Sequence, residues 1–212
     1  MNISASLYDR NQLNSCLALH DEKTAKGARY YNDEDCLRKY CVNANHSDFE
    51  YVYFISTLIN SFYSTRMGAE KVFEMAKYIH QNSAMFNNII QNNDTSCLNK
   101  IKKIGNKYYN YTFITKYISI HSRYHSPDNI SKFPIYDSRV QAVLANYGFV
   151  KKTSNKYRDY SVFYKKMSEI KDEFIKQNIS DMNFTKLDNY FWILGEKILN
   201  IPGDNSSDKI SD

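Results

Sequence analysis

The chain reads as all-α. Six glycines and three prolines in 212 residues supply too few turn formers for a many-stranded β architecture. Apolar residues recur at helical spacing in one stretch after another, and no stretch alternates with the period of a half-buried strand. A hydrophobic fraction of 42% is enough for a sizeable core, so a globally disordered chain is excluded.

The elements follow in order. Residues 1–46 are polar and mixed in charge, and pattern alone assigns them no more than a short helix or two that close the fold. Ser47 followed by Glu50 fits a capping box, and the nearly uncharged run Tyr51 to Tyr63 predicts a central helix buried on most sides. Val72, Met75, Ala76 and Ile79 mark an amphipathic helix over 68–80. Two short helices are expected in 84–104, broken near Asn92-Asn93-Asp94. Phe113, Tyr117 and Ile120 line a helix over 107–122, and a loop runs from Ser122 to Pro134. Val140, Val143, Leu144 and Tyr147 mark a helix that Gly148 ends. Phe163, Met167, Ile170 and Phe174 mark the next. Leu187, Tyr190, Phe191, Leu194 and Ile198 mark the last, before Pro202. The expected organisation is an N-terminal segment, 1–46, a helical domain, 47–200, and a disordered tail, 201–212.

Composition narrows the function classes. No run approaches the roughly 20 apolar residues of a membrane span. Met1 to Ser6 shows no basic-then-apolar leader pattern, so a cytoplasmic protein without membrane association is expected. Cys16, Cys36, Cys41 and Cys97 form no C-x-x-C pair, which predicts free thiols and no metal or iron–sulfur site. No phosphate-cradling glycine motif is present, so no nucleotide or other cofactor is expected. The net charge is only +5, but residues 100–171 hold fifteen Lys/Arg against four Asp/Glu, an excess of +11 that leaves the remainder at −6. A basic half of that kind suits a polyanion. Lysines that merely solvate helix faces would give the same count.

Two residues could carry chemistry. Lys116 is the lone formal charge between Tyr108 and Ser122, set among Phe113, Ile114, Tyr117, Ile118 and Ile120. Desolvation there lowers an amine's pKa and frees a nucleophile. The plainer alternative is a lysine that snorkels to water. Asp137 follows Pro134-Ile135-Tyr136 and opens a helix, which suits an N-cap. Cap hydrogen bonds and the helix dipole also hold such a carboxylate ionised, able to stabilise a developing cation. His121 and His125 lie between the two, as candidates to bond a phosphate or orient Asp137, or simply as polar residues satisfied locally. No third ligand at suitable spacing completes a metal site.

Taken together, these residues resemble the helix-hairpin-helix DNA glycosylase superfamily. Thr115-Lys116-Tyr117 through Pro134-Ile135-Tyr136-Asp137-Ser138-Arg139-Val140 is similar to that family's segment from the hairpin lysine to the aspartate, with a spacing close to that of the 8-oxoguanine branch. Asn60 to Arg66 resembles the polar turn that inserts near an extruded base. Leu187-Asp188-Asn189-Tyr190-Phe191-Trp192-Ile193-Leu194-Gly195 resembles the last helix of small bacterial proteins of this fold, whose central stretch also ends in Pro-Ile-Tyr-Asp. The resemblance covers about 47–199. It implies two helical lobes around a cleft, a DNA partner, and excision of a damaged or modified base, in repair or in phage defence. In that scheme Lys116 attacks the sugar through a Schiff base, with abasic-site lyase activity, and Asp137 assists. It also implies phosphate contacts from Arg66, Arg139, Lys151, Lys152 and Lys156, and a base pocket drawn from Tyr63, Tyr117, Tyr136 and Trp192. Where the family's hairpin usually reads Leu-Pro-Gly-Val-Gly, Asn110 to Thr115 holds no glycine, so side chains must replace backbone amides at the phosphate. The missing glycines suit a non-catalytic DNA-binding module on the same scaffold. A helical protein whose basic half meets an acidic partner is the third expectation.

Overall fold

A computed structural model describes residues 3–28, 30–63, 67–92, 94, 108–151 and 159–200. Among them the regular structure is helical throughout: α1 (Arg10–Thr24), α2 (Tyr31–Cys41), α3 (Phe49–Phe62), α4 (Ala69–Gln81), α5 (Ser83–Asn92), α6 (Tyr108–His125), α7 (Ser138–Asn146), α8 (Tyr160–Lys176) and α9 (Phe184–Leu199). No helix among the described residues is long and apolar enough to cross a membrane. The second helix expected in 84–104 and the tail 201–212 lie outside the described residues.

The N-terminal segment holds two full helices that sequence pattern does not define. Asp9 caps α1 by accepting the Gln12 amide at 2.8 Å. The Gln12 side chain then donates to the hydroxyls of Tyr190, at 2.6 Å, and Tyr147, at 3.0 Å, and Tyr190 donates to the Leu7 carbonyl at 2.8 Å. This buried polar knot ties α1 to α9, and Leu13, Cys16 and Leu37 join the common core. Two other expectations are corrected. Asp48, not Ser47, caps α3, with one carboxylate oxygen accepting the amides of Glu50 and Tyr51. And α3 is buried on one face only, through Val52, Ile55, Ser56, Ile59 and Phe62, while Phe54 is 42% exposed.

Packing arranges the helices around two long ones. Helices α2, α3 and α5 lie against α6, and α4 lies against α3; α1, α7 and α8 lie against α9. The α7–α9 contact is close because position 195 is glycine. A Cβ built there would stand 2.6 Å from the Arg139 Cβ and carbonyl oxygen and 2.8 Å from its carbonyl carbon.

The segment between α6 and α7 has no regular structure, yet its backbone is held by side chains. Lys132 N donates to Ser122, Ser131 N to Thr185, Ile135 N to Asp188 and Tyr136 N to Thr115, at 2.7–3.3 Å. Tyr160 donates to the Pro134 carbonyl at 2.8 Å. Backbone groups that lack a helical partner are thereby satisfied, and the start of α7 is fixed relative to both α6 and α9.

Candidate active site

Lys116 sits on α6 with 4% of its surface exposed. Its amine lies 3.6 Å from Asp137 Oδ2 and 4.9 Å from the centre of the Tyr63 ring. Burial pushes its pKa below the ordinary 10.5; the Asp137 charge opposes that shift, and Arg139 reinforces it. The amine is therefore sheltered and paired, and does not snorkel into water.

Asp137 divides its two oxygens. Oδ1 accepts the amides of Arg139 and Val140, both at 3.0 Å, and so caps α7. Oδ2 faces Lys116. The capping role and the chemical role proposed for this residue are compatible, because each uses a different atom.

A narrow cleft with about 30 Å3 of free volume adjoins the pair and is lined by His20, Phe62, Tyr63, Arg123, Ile135, Asp137, Val140, Asp188, Asn189 and Trp192. Lys116 does not itself line this cleft but touches two residues that do, Tyr63 and Asp137. The Arg139 guanidinium lies 5.2 Å from the Trp192 ring, near enough for a cation–π contact. Tyr30 and His20 meet the same ring edge-on.

Of the four aromatics expected in a base pocket, Tyr63 and Trp192 line this cleft. Tyr117 and Tyr136 belong to the core: Tyr117 packs on Phe86, His46 and His121, and Tyr136 on Tyr111 and Phe163. His121 does not approach Asp137. It is fully buried, Nδ1 toward the Tyr117 carbonyl and Nε2 toward the Tyr51 hydroxyl, with the His46 ring centre 4.8 Å away. His125 is exposed at the end of α6. Lys151 is exposed, whereas Arg66, Lys152 and Lys156 lie outside the described residues. Asn60 bridges the Met67 backbone through both its amide atoms at 3.1 Å.

Two cleft residues were not anticipated in their roles. Arg123 pairs with the buried Glu34 at 3.3 Å, its Nε buried without a hydrogen-bond partner. Glu34 also accepts from Tyr124 at 3.2 Å. Asp188 stands at the cleft wall, its two oxygens sharing the Ile135 amide at 3.2 and 3.3 Å. Desolvation pushes the Asp188 carboxyl well above the usual carboxylate range; the Ile135 amide opposes this, Asp137 adds to it and Arg123 opposes it. In sequence both residues look like ordinary surface charges.

The chain belongs to the HI_0787_N family, described as an N-terminal domain, whose match spans residues 12–128. That span includes Lys116 and Arg123 and stops before Asp137. An uncharacterized protein of Haemophilus influenzae is 37% identical over 94 residues, which make up 44% of this chain and 41% of that relative. No solved structure matches the chain.

Proposed function

We propose that this member of the HI_0787_N family is a DNA glycosylase with abasic-site lyase activity. The observation that carries the reading is the desolvated Lys116 amine, 3.6 Å from a helix-capping carboxylate that lines a cleft together with Tyr63 and Trp192. Support also comes from the cleft's composition, since its lining is drawn from α1, α3, α6, α7 and α9.

Chemistry on a base needs the nucleotide out of the stack, at a cost of about a few kcal/mol. Tyr63 and Trp192 are aromatic side chains on the cleft wall against which it would rest. The neutral Lys116 amine forms a bond to C1′ as the C1′–base bond breaks. Opening of the sugar ring yields a Schiff base, from which loss of a 2′ proton expels the 3′ phosphate. Asp137 stabilises positive charge on the sugar and on the amine. Arg139 at the rim and the basic stretch 100–171 supply phosphate contacts whose affinity falls with salt.

The test is borohydride trapping on an abasic duplex. A covalent protein–DNA adduct is expected, lost in Lys116→Gln and retained in Lys176→Gln, at an exposed lysine outside the basic stretch. Salt-sensitive duplex binding with no adduct would instead support the non-catalytic binding module, which the glycine-free hairpin favours. Absence of binding would leave a helical protein with an acidic protein partner.

A further inference from the structure

Resting on that reading, we propose that Asp188 is a second catalytic residue, the general acid that gives the departing base its proton. Asp137 and Asp188 line one cleft in opposite surroundings. Asp137 has two backbone amides on one oxygen and the Lys116 amine facing the other. Asp188 has a single amide shared between both oxygens, and no cation within ion-pair distance among the described residues. A sheltered carboxylate without compensation is costly, and the group takes up a proton instead. The groups facing it come from every neighbouring element: Asp137 from the start of α7, Arg123 from α6, Tyr63 from the end of α3, Tyr160 from α8 and His20 from α1. Arg123 alone among them is a fixed cation, and Glu34 already engages it. Two carboxyls lining one cleft with such different hydrogen-bond partners divide the labour of acid and charge stabiliser.

The step balances. The Asp188 proton passes to a ring nitrogen or carbonyl oxygen of the base, the C1′–N bond breaks with its electron pair going to the base, and the Lys116 lone pair bonds C1′. Asp188 becomes a carboxylate as Lys116 becomes a secondary ammonium, so the site's net charge is unchanged. The open side of the cleft returns a proton to Asp188 from solvent.

An abasic site has no base to protonate, and this separates the two carboxyls. The experiment compares Asp188→Asn with the unaltered protein in two assays. One is borohydride trapping on an abasic duplex. The other is single-turnover base release from duplexes carrying 8-oxoguanine, hypoxanthine, uracil or 3-methyladenine. A general acid contributes about 100-fold or more, so the substitution is expected to slow release at least about 100-fold further than it slows trapping. It is also expected to remove the high-pH decline of release. Asparagine keeps an acceptor for the Ile135 amide, and equal melting temperatures verify the fold. Equal slowing of both assays, or an unchanged pH profile, overturns the role of Asp188 while leaving the lysine intact. Adduct formation with no base released from any duplex also overturns it. Absence of adduct in the unaltered protein overturns both.

Discussion

Thr115 accepts the backbone amide of Tyr136 at 3.1 Å while its own hydroxyl donates to the Thr112 carbonyl at 2.9 Å. Each partner is the chain neighbour of a proposed catalytic residue, so this buried bond sets the spacing of Lys116 and Asp137. Thr115→Val keeps the shape and leaves the Tyr136 amide unsatisfied, a loss of about 1–3 kcal/mol. Denaturant melts should register that loss. Adduct yield should fall as well, although residue 115 touches no substrate.

Asp137 both caps α7 and faces a buried lysine, and two substitutions separate these roles. Asn is as good a cap as Asp, whereas Ala costs about 0.5–2 kcal/mol. Both leave Lys116 without its partner, so both should melt below the unaltered protein, Asp137→Ala lower than Asp137→Asn by the cap's share, and both should lose most of the trapping activity. The Asp137 charge also raises the Lys116 pKa against desolvation. Neutral amine, and so trapping, should increase with pH toward a midpoint below 10.5, and in Asp137→Asn NMR titration of labelled lysine should find that midpoint lower still. The depressed pKa makes the unfolded chain bind more protons over this window, so stability should rise with pH between the two values.

The His46–His121 pair predicts acid sensitivity. Both rings are buried and held neutral: desolvation lowers each pKa below 6.5, and for His121 the neighbouring His46 adds to the effect. Below pH 6.5 the unfolded chain takes up protons that the folded one refuses, so stability falls as pH drops through that value. Melting temperature should decline from pH 7 to pH 5. Replacing both histidines by glutamine should flatten the slope; an unchanged slope would assign acid sensitivity elsewhere.

Gly195→Ala places a methyl group against Arg139 backbone atoms at 2.6–2.8 Å. Overpacking of this kind costs about 1–3 kcal/mol, and α7 must move away from α9. Because Asp137 caps α7, trapping should fall with stability in this variant. Gly148→Ala, at φ +74 and with open space around it, should strain the turn after α7 without moving Asp137, and so lower stability more than trapping.

The helices from α3 onward were legible because their apolar residues keep a 3.6-residue period. Helix α1 was not, because its contacts to α9 run through Gln12 and a tyrosine pair, which carry no apolar signal. Lys116 and Asp137 stood out as a charge amid apolar neighbours and a carboxylate opening a helix after proline. Asp188 and Arg123 did not, since their shelter comes from chain segments more than fifty residues away in sequence, such as Asp188 over Ile135 and Arg123 against Glu34. Tyr117 and Tyr136 misled for the opposite reason: an aromatic side chain suits a core as well as a pocket, and only packing tells which.

The chain contains a single tryptophan, and it is Trp192, on the cleft wall beneath the Arg139 guanidinium. Its emission is consequently a site-specific optical signal that needs no label. Any ligand that enters disturbs the indole's surroundings, and any duplex that draws Arg139 toward phosphate uncovers the ring. Titrations followed at that one wavelength would report occupancy of the cavity directly, whether or not a reaction follows.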